Sequence, residues 1–167
     1  MNRWGPDTFG DPCRECGFEW SQSQDAAHAA VVAAPATIGA LLDGHDGRSR
    51  GAGLQWTAGG YVCHVGDSIR VWAERLASTA LGDPGPIGEY DQDLLAAARH
   101  YDDVGIRGAR WSLRRAVADW EAAVELAIAR DVAMVHPELG LMSLHDVVLI
   151  RAHDVTHHTR DIERSLA

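Results

Sequence analysis

Apolar residues recur at helical spacing along most of the chain, and polar or glycine-rich stretches separate the periodic segments. Tyr61, Val65, Ile69, Trp72 and Leu76 make one stripe of a helix that begins near Thr57. Leu113, Val117, Trp120, Val124 and Ile128 make the stripe of a second helix, over 111–130. An alanine-rich segment, 21–42, predicts an earlier helix opened by a Ser21–Gln24 capping box and kinked or divided at Pro35. A last helix opens at Ser143, where Asp146 completes another capping box, and runs to about Leu166. The stretches 44–53, 82–88 (with Pro84 and Pro86) and 102–108 read as breaks, 91–101 as a short helix, and His136–Gly140 as a turn.

That last helix carries two faces that ask for burial. Leu144, Val148, Val155, Ile162 and Leu166 form an aliphatic stripe, while Leu149, Ile150, His153, His157 and Asp161 lie nearly opposite. Such a helix suits a position between a bundle core and either a cleft or a dimer partner.

Length and charge narrow the choices. A chain of 167 residues can bury one core without staples. Its net charge of −9 argues against nucleic acid and against an anionic membrane surface as partners. No run is apolar enough to span a bilayer, and the first residues lack the apolar core of a secretory signal. Three cysteines cannot all pair with one another, which fits a reducing cytoplasm. Alanine-rich composition with few β-branched runs favours helices.

The candidate chemistry is concentrated in histidines and cysteines. His153 and His157, four residues apart, aim two imidazoles at one place, and Asp161 continues that line. His158 falls well round the helix from His153 and reads as exposed or interfacial. His64 sits on the flank of a buried stripe; Asp67 either orients its imidazole or is solvated. His28 and His45 read as surface residues. Cys13 and Cys16 form a CxxC knuckle within an irregular segment, 1–20. It can be half of a zinc site completed by distant residues, a redox pair, or a tight turn with two free thiols. Cys63 reads as a small buried residue. Arg107, Arg110, Arg114 and Arg115 read as a solvated basic patch rather than a carboxylate clamp.

The order Cys13-x-x-Cys16-Gly-Phe, then Tyr61-Val-Cys-His64-Val-Gly-Asp67, then His153-Asp-Val-Thr-His157-His158-Thr-Arg-Asp161-Ile162, resembles the DinB/YfiT-like metal-binding four-helix bundles. It is most similar to actinobacterial members with a cysteine knuckle in front, and the resemblance covers nearly the whole chain. It implies an all-α, up-and-down four-helix bundle over 21–167, behind the irregular segment 1–20. It also implies a divalent metal held by His64, His153 and His157, with zinc first and nickel, iron or manganese as alternatives. His157 is favoured over His158 as the last ligand because it keeps the four-residue spacing. Asp67, Asp154 and Asp161 are the carboxylates around the ligands, and Asp67 and Asp161 are carried as catalytic candidates.

Better-understood relatives are thiol S-transferases that use mycothiol, bacillithiol or glutathione. A divalent cation favours thiolate over thiol and so makes the nucleophile without a strong base. A related isomerase that depends on mycothiol has a glutamate among its ligands; here His153 stands in that place, a departure. The function implied is metal-dependent transfer of a low-molecular-weight thiol to an electrophilic small molecule, in a cytoplasmic homodimer. The competing readings are a non-catalytic metal-binding stress-response or structural protein, and a specialised natural-product enzyme on the same scaffold. Fold membership does not decide among them.

Overall fold

The computed structural model describes residues 5–83 and 88–167. Pro84 and Pro86, in the break expected over 82–88, and the first four residues of the irregular segment lie outside the described residues. Four long helices carry the core: α2 (Gln24–Leu41), α3 (Ala58–Ala80), α5 (Ile106–Arg130) and α6 (Leu144–Leu166). A one-turn α1 (Pro6–Phe9), a short α4 (Gln92–Ala98) and a 3-10 turn (Tyr101–Asp103) complete the helical part. The fold class is therefore the expected helical bundle, with one addition. The expected turn at His136–Gly140 is the tip of an antiparallel hairpin of β1 (Ala133–His136) and β2 (Gly140–Ser143), in which Met134 pairs with Met142. Two four-residue strands are too short to show a period of two against the helices on either side.

Among the long helices, α2 and α3 do not pack on each other although they are consecutive, and neither do α5 and α6. α3 packs on α5 and α6, and α2 packs on α6 and α5, so α2 faces α3 across the diagonal of the bundle. The long connection after α2 makes this crossing, and it fastens to the start of α3. Gly47, at φ 78°, lies against Gly59, whose N–H donates to the Gly47 carbonyl at 2.8 Å. A Cβ on Gly59 would stand 3.1 Å from that carbonyl oxygen, so the contact depends on glycine. Covered in this way, α3 is buried on every side from Ala58 to Ile69. That explains how a histidine and an aspartate come to be interior on a helix with only one apolar stripe.

Local signals set the helix ends. Thr57 caps α3, and Ser143 with Asp146 forms the expected capping box of α6. The expected Ser21–Gln24 box does not form. Trp20 is tied down by its indole N–H to the Gly10 carbonyl (3.0 Å) and by its backbone N–H to Asp11 (3.2 Å). Ser21 is thereby held in a turn, and Ser23 caps the helix instead, accepting from Ala26 N–H at 3.2 Å. Pro35 does not divide α2, which is continuous through it.

The expected stripes of α3 and α5 are buried except for Ile128, which is 57% exposed, and the α6 stripes are buried except for half-buried Leu144, His157 and Leu166. After Val124 the inward step is three residues, to Ala127, rather than four. His28 is not a bare surface residue, because Trp120 donates its indole N–H to His28 Nδ1 at 3.2 Å. His45 is exposed, as are Arg107, Arg114 and Arg115 of the basic patch. Among the described residues, no helix is long and apolar enough to cross a membrane.

Both faces of α6 are covered within the chain. The aliphatic face meets the core, and the histidine face meets residues 5–20: the rings of Phe9, Phe18 and Trp20 lie 4.6, 5.4 and 4.6 Å from that of His153. Its two-sided burial needs no second subunit.

Candidate metal centre

α6 presents two pairs at four-residue spacing, offset by one residue: His153 with His157, and Asp154 with His158. One residue is about 100° of helix rotation, so the pairs look toward different neighbours. Each meets its own partners. Cys13, Cys16, His153 and His157 form one cluster, and His64, Asp154 and His158 form another; in each, the candidate donor atoms lie within 4.8 Å of one another. The three histidines expected to share one ion are thus divided, with His64 beside His158 (ring centroids 4.5 Å apart) and His153 beside Cys13 (Nε2 to Sγ 3.3 Å). His158, expected outside the site, is half-buried within it, while His157 turns toward the cysteines. Asp154, the residue after His153, places a carboxylate beside His64.

The His64 cluster is ordered by the division of labour in Asp154. Its Oδ2 accepts from Ser68 Oγ (2.8 Å) and from the Arg151 guanidinium (3.1 Å). That leaves Oδ1 facing the Nε2 atoms of His64 (4.0 Å) and His158 (3.6 Å). His158 Nδ1 lies 3.0 Å from Asp161 Oδ2, the carboxylate–imidazole pairing that fixes which nitrogen is free to ligate. Trp56 stacks on His64 and Tyr61 on His158, which holds both rings. Burial pushes His64 down to about 4, so its imidazole is neutral at ordinary pH. Burial alone would also lower His158, but its hydrogen bonds to Asp154 and Asp161 raise it to about 9. Burial would raise Asp154, yet the Arg151 charge and His158 hold it well below the usual carboxylate range. An ionised carboxylate and two imidazoles within reach of one point suit zinc and its neighbours, whose binding would displace the proton that His158 holds at neutral pH.

This cluster borders a cavity of about 230 Å³ whose lining includes Asp154, Ser68, Trp72, Arg75, Tyr90 and Arg151. The Arg151 and Arg75 guanidinium groups each lie 4.9 Å from the Trp72 ring, and His136 of the hairpin stacks on the same indole. An aromatic-walled space with charges of both signs, Arg75 and Arg151 against Glu89 and Glu138, therefore ends at Asp154.

The Cys13 cluster is covered by aromatic rings on its His153 side, while Cys16 borders a space against α2. Burial pushes the Cys16 thiol up to about 11, and burial with the neighbouring His157 pushes His153 down to about 4.

Asp67 belongs to neither cluster. Its buried carboxylate is taken up by Arg70 (2.5 Å), Arg99 and the Tyr101 hydroxyl (2.7 Å), which clasps α3 to the end of α4 and the 3-10 turn. It neither orients His64 nor is solvated. Of the two carboxylates carried as catalytic candidates, Asp161 touches the histidines and Asp67 does not. Asp154, expected only as a carboxylate around the ligands, and His158, expected outside the site, had a readable signal in the second four-residue pair of α6. Ser68 and Arg151 had none, because their role depends on how α3 and α6 meet.

No known family model matches the sequence, and no curated protein matches it. Among solved structures the chain is similar to YfiT from Bacillus subtilis, at a TM-score of 0.72 and 16% identity over 83% of each chain. That protein is described as a probable metal-dependent hydrolase with an unusual four-helix bundle topology. The likeness establishes the shared bundle fold.

Proposed function

We infer that the chain is a divalent-metal-dependent enzyme working at His64, Asp154 and His158, and that it transfers a low-molecular-weight thiol to an electrophilic small molecule. The observation that carries this reading is the position of Asp154 Oδ1. It faces both imidazole Nε2 atoms at the edge of a cavity, while Ser68 and Arg151 hold the other oxygen. Three protein ligands beside an open space is the arrangement of a catalytic site rather than a structural one. A divalent ion bound there supplies positive charge that favours thiolate at neutral pH. The chain's own groups do the rest. Arg75 brings positive charge to polar parts of the cosubstrate, Trp72 gives it an apolar wall, Arg151 holds Asp154, and Asp161 orients the His158 ring. The thiolate sulfur then bonds to the electrophilic carbon as the leaving group departs with its electron pair, and the thiol proton passes to solvent. Zinc comes first among the metals and mycothiol among the thiols. The reading includes a reducing, cytoplasmic setting and a homodimer.

The likeness to YfiT favours a second reading, in which the same three ligands serve hydrolysis. Zinc-loaded protein offered a haloalkyl bimane with mycothiol, bacillithiol or glutathione separates the two. Thioether formation that disappears in His64→Ala supports the transferase. Absence of turnover with every thiol, with zinc retained, rejects it. Cleavage of ester or amide substrates by the same preparation would then favour the hydrolase, and inactivity in both assays a binding protein.

A further inference from the structure

We propose that Cys13, Cys16, His153 and His157 form a second metal site, a closed tetrahedral zinc centre that clamps the N-terminal segment onto α6. The knuckle is built for it: Gly17 N–H donates to the Cys13 carbonyl and Cys13 N–H to the Phe18 carbonyl, both at 2.8 Å. This tight turn brings the two sulfurs to one side. On α6, His153 and His157 are one turn apart and meet them. Zinc bonds of about 2.3 Å to sulfur and about 2.0 Å to nitrogen, at the tetrahedral angle, place N and S roughly 3.5 Å apart. His153 Nε2 and Cys13 Sγ are 3.3 Å apart, and all four donors already lie within 4.8 Å of one another.

A second observation points the same way. His157 Nδ1 is buried with no hydrogen-bond partner, whereas its Nε2 faces Glu15 at 3.4 Å and Asp161 at 4.0 Å. A buried ring nitrogen without a partner is costly, and a metal bond would satisfy it. Carboxylates on the far nitrogen are the usual company of a ligating imidazole. The donor set also separates the two centres by chemistry. Two thiolates and two imidazoles fill a zinc tetrahedron and leave no position for substrate, and Phe9, Phe18 and Trp20 close over His153. The centre is structural: it fixes residues 5–20 on the helix that supplies Asp154 and His158 to the other cluster.

Cobalt(II) added to the metal-free full-length protein tests this, because thiolate ligands give an intense sulfur-to-cobalt charge-transfer band in the near ultraviolet. The wild type and His64→Ala should show the band, and Cys13→Ser/Cys16→Ser should lose it. Its absence from the wild type, or its persistence in the double variant, overturns the proposal. Alkylation of wild-type protein tests the same point without any variant. Zinc should protect Cys13 and Cys16 from iodoacetamide, and equal labelling with and without zinc overturns the site. Neither result bears on the His64 cluster, so the two readings fail separately.

Discussion

The two faces of α6 build clusters from residues one position apart, yet their surroundings differ in kind. The Cys13 cluster has four donors and an aromatic cover over His153, and its Cys16 borders a space against α2 that none of its other donors lines. The His64 cluster has three, a carboxylate held by a serine and a buried arginine, and a cavity at its edge. Coordination that is complete within the protein stabilises; coordination left open is available for chemistry. One helix serves both because consecutive residues on it are turned about 100° from each other.

The sharpest way to break the contrast is to remove a ligand from the open side. Asp154→Ala should lower turnover by more than roughly a hundredfold, beyond the usual cost of losing a group that only supports a ligand. It should leave the cobalt–thiolate band unchanged. Steady-state rates and absorption on the same sample check both halves.

Asp67→Ala comes next and lies outside both centres. Its removal leaves the buried Tyr101 hydroxyl unpaired and two one-third-exposed arginines to solvent, at about 1–3 kcal/mol, so urea unfolding should shift while metal content at both sites stays intact. Loss of metal without loss of stability would return Asp67 to the site.

On the closed side, zinc should raise the melting temperature of the wild type more than that of Cys13→Ser/Cys16→Ser. A site held at a hundred times its dissociation constant contributes about 2.7 kcal/mol. An equal thermal shift in both proteins would remove the structural role from the cysteines.

The smallest effect belongs to Asp161→Asn. Weakening the partner of His158 Nδ1 should cost about 10–100-fold in metal affinity at the open site, read by competition with a chelating dye.

The bundle was legible because its stripes are long: Tyr61 to Leu76 and Leu113 to Val124 hold their period over several turns, and nearly every member is buried. Thr57 and Ser143 marked helix starts because capping is local chemistry. The site was legible in composition but not in pairing. His64, His153 and His157 all lie in candidate clusters, but helix geometry alone cannot say which α6 residue faces α3 and which faces the N-terminal segment. That choice depends on α2 and α3 sitting across a diagonal, a property of the whole chain. Asp67 misled for the opposite reason: beside a histidine it looked like a ligand's support, and its partners Arg99 and Tyr101 come from distant turns.

Native mass spectrometry of the zinc-loaded protein tests the central claim, two separate centres on one helix. The prediction is two zinc ions per chain, one lost in Cys13→Ser/Cys16→Ser and the other in Asp154→Ala. A single ion that survives either substitution, or that is lost in both, would contradict it.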